Sequence, residues 1–333
     1  MALRRTPARA ARSRVGLPKT VLAAAAVAAA LALTACGSSS SGSGAGGTAT
    51  ASAGGGGSSA GSSAGSAAGS PSVTADPTLA AMVPSAVKSA GTMQVGTDST
   101  YAPNEFLDTD GKTVVGFDVD LFNAVAAKLG LKTQWVSAPF SNIIPSVDSG
   151  KYDIGVSSFT VNPDREKQVD MVSYFSAGTQ WASATGNPQG IQPDSSCGKK
   201  VAVQQGTVQV TDVTARSKKC TAAGKPAITI DQYQGQDQAT SAVVSGKDDA
   251  MLADSPVAAY AVKQTNGKLA LLGEIYDSAP YGYVIKKGQD QFGQALAGAV
   301  KALVADGTYK TVLDKWGVAQ GAITDPALNP KVG

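Results

Sequence analysis

The chain has 333 residues, 43% of them hydrophobic, with 28 basic and 25 acidic side chains, three cysteines and no histidine. Without histidine there is no Ser-His-Asp or Cys-His arrangement, no histidine-based zinc site, and none of the commonest general base. The first 35 residues hold six basic side chains and no acidic one, so the remainder carries 22 against 25, a net charge of −3, and nucleic-acid binding has no electrostatic support.

The N-terminal stretch reads as a targeting segment. Arg4, Arg5, Arg9, Arg12, Arg14 and Lys19 precede an apolar run over 21–33. A run of about 13 residues is too short to span a bilayer comfortably. Leu33-Thr34-Ala35-Cys36 matches a lipobox, so 1–35 is expected to be a lipoprotein signal peptide. Lipidated Cys36 would then anchor the chain to the outer face of the bacterial cytoplasmic membrane. Between 37 and 70 there are only Gly, Ser, Ala and Thr. Such a stretch has no apolar surface to offset its ordering entropy, so 36–76 is expected to be the lipidated cysteine followed by a disordered tether.

Beyond the tether, strand-like runs at 93–97, 133–136, 153–156, 200–203 and 227–230 alternate with helical spacing. Leu121, Phe122, Val125, Ala126 and Leu129 form one such helical stripe, with Asp118 a candidate N-cap. Asp110-Gly111 marks a hairpin turn. The alternation predicts an α/β protein with mostly parallel sheets flanked by helices, long enough for two lobes. In such sheets ligands sit beyond the carboxyl ends of strands, and Thr97 to Tyr101 and Ser157 to Thr160 are both expected just past strand ends. Cys197 and Cys220, the cysteines left in an exported chain, read as a disulfide worth roughly 3 kcal/mol in the chain-entropy model. The tail after Ile323, with Pro326 and Pro330, is expected to be loosely packed.

The densest chemistry lies between Gly96 and Arg165: GTDSTYAPNEF, GFDVDLFNAV, PFSNIIPSV and SSFTVNPDR. Together they offer aromatic rings, several carboxylates, a run of hydroxyls and an arginine, a set suited to holding a small zwitterion. Beyond the leader the chain has two arginines, Arg165 and Arg216, where lysine fills the other basic positions. A guanidinium fork can grip a carboxylate bidentately and lysine cannot. Three other matches are set aside. Gly42-x-Gly44-x-x-Gly47 lacks a strand before it, Ser85-x-x-Lys88 lacks the partner motifs of an acylating enzyme, and Asp108-x-Asp110-Gly111 lacks the later calcium ligands.

Gly116-Phe117-Asp118-Val119-Asp120-Leu121 followed by a helix resembles the signature of the amino-acid class, family 3, of bacterial periplasmic solute-binding proteins, the receptors of ABC importers. Thr100-Tyr101-Ala102-Pro103, Ile144-Pro145-Ser146, Gly150-Lys151-Tyr152-Asp153 and Asp254-Ser255-Pro256 fall in that family's order and spacing. Tyr233-Gln234-Gly235-Gln236-Asp237 is similar to its histidine- and lysine-binding members. Asn104 departs from the family's usual phenylalanine.

The resemblance implies a type II "Venus flytrap" with a two-strand hinge. Lobe one would be 90–182 plus 284–325, and lobe two 183–283. It implies that Arg165 takes the ligand's α-carboxylate, with Ser157, Ser158, Thr160 and Thr207 assisting, and that Asp254 takes the α-ammonium, although on sequence alone a helix cap before Ser255-Pro256 is the favoured reading of Asp254. Tyr101 and Phe140 would sandwich the side chain, and Asp98, Glu105, Asp118, Gln204 and Gln209 would read it. Acidic and aromatic walls favour a polar or basic amino acid. The implied protein is a monomer that needs no cofactor or metal, catalyses no reaction, and delivers its amino acid to a membrane permease. The alternatives are a ligand-sensing lipoprotein, or a small-molecule dehydratase on the same scaffold.

Overall fold

The computed structural model describes residues 73–332; the expected signal peptide, the expected lipidation at Cys36 and nearly all of the expected tether lie outside them. Two short helices, α1 (Pro77–Ala81) and α2 (Ser85–Ala90), lead into β1 (Thr92–Thr97). A small antiparallel sheet follows, made of β2 (Thr100–Tyr101), β3 (Glu105–Leu107) and β4 (Val114–Val115). The expected turn joins β3 to β4: Asp110 Oδ1 accepts the Lys112 and Thr113 amides at 2.7 and 2.8 Å.

Next come α3 (Phe117–Lys128), β5 (Lys132–Ser137), α4 (Phe140–Asp148), β6 (Ile154–Thr160), α5 (Pro163–Glu166) and β7 (Val169–Ala184). The second run is β8 (Lys200–Gln204), α6 (Val208–Ala222), β9 (Thr229–Tyr233), α7 (Gln236–Val244), β10 (Ala250–Asp254), α8 (Ser255–Gln264) and β11 (Leu269–Lys286). Helices α9 (Asp290–Ala305) and α10 (Thr308–Trp316) then return to pack on the first run.

The strands form one eight-stranded sheet in the order β5-β1-β6-β11-β7-β10-β8-β9. Pairing is parallel on both flanks, β5/β1/β6 and β10/β8/β9, and antiparallel where β11 and β7 meet each other and their neighbours. The two central strands, 18 and 16 residues long, are therefore shared by both parallel halves. Each half buries its own apolar side chains. One core gathers Phe117, Leu121, Phe122 and Val125 of α3 with Tyr174, Tyr283, Leu296 and Val300. On the other side, Ala239, Val243, Met251 and Val257 form one cluster, and Trp181, Val201, Val213 and Cys220 another. Cys197 and Cys220 are joined as a disulfide.

Four local expectations are corrected. Asp118 does not cap α3: the helix starts at Phe117, its cap is Gly116, and the Asp118 carboxylate turns inward. Glycine is required at 116, where φ is +140° and a Cβ would sit 2.0 Å from the Asn104 carbonyl oxygen. Ser157 to Thr160 are not past the strand end but inside β6, which continues because its hydroxyls find buried partners. The edge strand β9 begins two residues late, since Ile228 is spent on the core and on Ser217 while the polar Asp231 and Gln232 do the pairing. Finally, the C-terminal tail is strapped to β7. The Asn329 amide donates to the Met171 carbonyl at 2.7 Å and the Ser173 amide to Ala327 at 2.9 Å, with Leu328 seated on Gly293.

Candidate functional site

Parallel strands deliver their carboxyl ends, and the loops after them, to a common face. From the β1 and β6 side come Tyr101, Phe140, Ser158, Thr160 and Arg165; from the β8 and β10 side come Thr207, Val208, Gln209 and Asp254. These nine residues line a gap of about 10 Å³.

Arg165 is placed by α5. Asn162 caps that helix, accepting the Arg165 amide at 3.0 Å. Nη1 then donates to the Thr160 carbonyl at 2.7 Å, and Nη2 reaches across to the Gly206 carbonyl at 3.2 Å. The guanidinium lies over Phe140 and Phe159, 5.4 and 5.5 Å from their ring centres, and those rings stack at 4.7 Å. Burial pulls its pKa down to about 10, opposed by the nearby charge of Asp254, so it stays cationic at neutral pH.

Asp254 faces it from the end of β10. Although Asp254 occupies the cap position of α8, its carboxylate caps nothing. Instead Oδ1 accepts Gln209 Nε2 at 2.7 Å and Oδ2 accepts the Tyr281 hydroxyl at 2.8 Å. Burial raises its pKa, while hydrogen bonds from Tyr281, Tyr101 and Gln209 and the Arg165 charge oppose that rise. Tyr101 also receives the Asp254 amide at 3.2 Å.

Asp98 closes a third corner. Oδ1 accepts the Thr100 amide at 3.0 Å, and Oδ2 accepts the Phe140 amide at 2.9 Å and, from the opposite flank, Gln204 Nε2 at 3.1 Å. Burial raises its pKa, tempered by those hydrogen bonds. Beyond it opens a cavity of about 250 Å³, bordered also by Ser137, Gln234 and Asp237.

Glu105, Asp118 and Ser157 stand behind the gap, not on its wall. Asp118 Oδ2 accepts the Ser158 amide at 3.0 Å, which holds Ser158 at a left-handed φ of 52°. Thr207 spends its hydroxyl on the Gln204 carbonyl at 2.8 Å, leaving its place at the mouth of α6 as its contribution. Asn104 is fully buried, its Nδ2 donating to the Ser158 hydroxyl at 2.8 Å. The second arginine is structural and lies apart from the gap. Arg216 pairs with Asp212 at 2.9 Å and packs against Tyr276 and Trp181.

Sequence reasoning missed Tyr281, Phe159 and Val208. Tyr281 precedes the Tyr283-Val284-Ile285 run of β11 and Phe159 sits among the hydroxyl residues of β6, and both look like ordinary strand side chains packed in a core. The position of Val208 was detectable, since Gly206-Thr207 before a helical stretch signals an exposed helix N-terminus.

The shared central strands, the parallel flanks and a polar gap between them define a type II periplasmic-binding architecture. The chain matches the profile of bacterial extracellular solute-binding proteins, family 3, over residues 93–319, and it belongs to that family. It is 38% identical over 254 residues to the arginine-binding protein ArgT of Corynebacterium glutamicum, covering 76% of this chain and 83% of that one. Among solved structures, an ancestral arginine-binding protein bound to arginine is 35% identical, with a TM-score of 0.63 over 68% of this chain and 98% of its own. The ancestral amino acid-binding protein AncCDT-1, a precursor of cyclohexadienyl dehydratase, is 33% identical, with a TM-score of 0.63 over 69% of this chain and 97% of its own. The chain is thus a solute-binding protein of the extracytoplasmic amino-acid class and not an enzyme.

Proposed function

We propose that this protein captures an amino acid with a cationic side chain, arginine foremost, and hands it to the permease of an ABC importer while tethered to the membrane through lipidated Cys36. The observation that carries the reading is the placement of buried Arg165 and buried Asp254 on opposite flanks of one gap. An α-carboxylate at Arg165 and an α-ammonium at Asp254 would each be neutralised, which removal from water requires. Ser158, Thr160, Thr207 and the Gln209 side chain would complete the polar shell, with the rings of Tyr101 and Phe140 against the ligand's aliphatic stem. Asp98, supported from the other flank by Gln204, would meet the cationic end. Glu105, Asp118 and Ser157 would act through Ser158 and Asp98 from behind.

Holding one zwitterion from two sides also ties closure to ligand. The lobes would turn about β7 and β11, and contacts made only when closed would shift the balance between the two states. The names of the relatives, arginine-binding in both ArgT and the ancestral protein, support the same choice of side chain.

A melting panel tests the reading. A ligand at 1,000 times its Kd adds about 4 kcal/mol of stability. At roughly 2–4 °C per kcal/mol for a chain of this size, L-arginine should stand out from the other amino acids. No shift with any basic amino acid would remove the proposal.

A further inference from the structure

Two carboxyl groups lie directly beneath the gap, Glu105 from β3 and Asp118 from the first turn of α3, both 0% exposed. Among the described residues neither forms a salt bridge. The titratable groups that face the pair are Asp98 at the end of β1, Tyr101 of β2, Tyr174 of β7 and Tyr283 of β11. None supplies positive charge. Asp120, the other acid of the α3 first turn, is engaged elsewhere by Lys315 and Trp316.

A donor count shows what the cluster lacks. Asp118 Oδ2 accepts the Tyr174 hydroxyl at 2.6 Å, the Ser158 amide at 3.0 Å and the Ser158 hydroxyl at 3.0 Å. Asp118 Oδ1, equally buried, has no donor at all. The Ser158 hydroxyl has one proton and lies nearer Asp118 than Glu105 Oε2, which is 3.3 Å away. The Ser157 hydroxyl, receiving the Asp98 amide at 3.0 Å, gives its own proton to Glu105 Oε1 at 2.9 Å. So Glu105 Oε2 and Asp118 Oδ1 share a deficit of one donor. Burial first, and the neighbouring Asp118 charge second, hold the Glu105 carboxyl well above the usual carboxylate range. Two buried carboxyl groups that share the one Ser158 hydroxyl do not both ionise away from water.

We infer that Glu105 and Asp118 hold one shared proton beneath the gap, and that this proton leaves when a cationic side chain docks beside Asp98. The first half stands on the donor count; the second rests on the cationic ligand proposed above. On release the proton passes to solvent and its electron pair stays on Glu105. One positive charge enters as one departs, so the total charge of the occupied site is conserved. The route of coupling is short: Ser157 joins Glu105 to the Asp98 backbone, and Ser158 joins both carboxyls to the gap. Tyr174 and the two Ser158 donors keep Asp118 as the ionised member, so Glu105 carries the proton.

The test has two arms. Infrared spectra of the ligand-free protein at neutral pH should contain a protonated-carboxyl stretch that Glu105→Gln lacks; identical carboxyl spectra overturn the shared proton. Titration calorimetry in buffers of different ionisation enthalpy then counts protons. The wild type should release about one proton per L-arginine and none per uncharged L-citrulline, and Glu105→Gln should abolish the release. Equal counts in wild type and variant overturn the coupling. Failure of L-arginine to bind removes the coupling together with the ligand assignment, while the infrared arm still decides the shared proton.

Discussion

The Arg165 guanidinium bridges the two flanks of the sheet, Nη1 on the Thr160 carbonyl at 2.7 Å and Nη2 on the Gly206 carbonyl at 3.2 Å. Both partners are neutral. An incoming carboxylate would therefore compete well for the longer of the two bonds, because it adds a negative charge and a bidentate match to the guanidinium fork that a carbonyl lacks.

Arg165→Ala should lower amino-acid affinity by at least about 30-fold, as loss of a buried charge partner costs about 2–5 kcal/mol. Arg165→Lys should recover only part of it, for want of the planar fork. Calorimetric Kd values for the three proteins check this, with circular dichroism to confirm that each is folded.

Asp98→Asn should weaken L-arginine far more than L-glutamine, because the change removes charge and keeps shape. Equal losses for both ligands would take Asp98 out of side-chain recognition and leave it as an anchor for the Phe140 amide.

The pH dependence of stability follows from Glu105. Its folded pKa is raised by burial and by Asp118, so the native state binds the proton more tightly than the unfolded chain. The stability this gives is fully present below the unfolded value, about 4.3, and is lost as pH rises toward the folded value. Relative to Glu105→Gln, the wild type should lose up to about 1.4 kcal/mol per pH unit across that window. Urea unfolding of both proteins from acid to neutral pH measures it; parallel curves would contradict it.

Replacing Cys197 and Cys220 together by serine should cost about 2–4 kcal/mol, since the bridge closes a loop whose ends are 23 residues apart. The melting temperature should fall by roughly 2–4 °C per kcal/mol, with ligand affinity nearly unchanged because the bridge is remote from the gap.

Much of this molecule can be read from its sequence, and the reasons for the rest are physical. Strand-like runs locate β1, β5 and β8 within a residue or so, β1 and β8 because they are largely buried and β5, an exposed edge strand, through its half-buried Trp135 and Val136. Arg165 stands out through rarity, in a chain that otherwise relies on lysine. Asp118 is harder: a carboxylate one residue inside a helix looks like a cap, and its inward partners, Tyr174 and the left-handed Ser158, lie 56 and 40 residues further along the chain. Asp254 poses the same ambiguity, which Tyr281, 27 residues downstream, resolves by claiming its oxygen. The strap of Ala327 to Asn329 on β7 joins segments more than 150 residues apart, beyond any local pattern.

The central claim is that Arg165 grips an α-carboxylate. Parallel titrations with L-arginine and agmatine, the same molecule without its carboxylate, address it directly. L-Arginine should bind clearly and agmatine at least about 30-fold more weakly, with the difference vanishing in Arg165→Ala. Comparable affinities of the wild type for both compounds would contradict the claim.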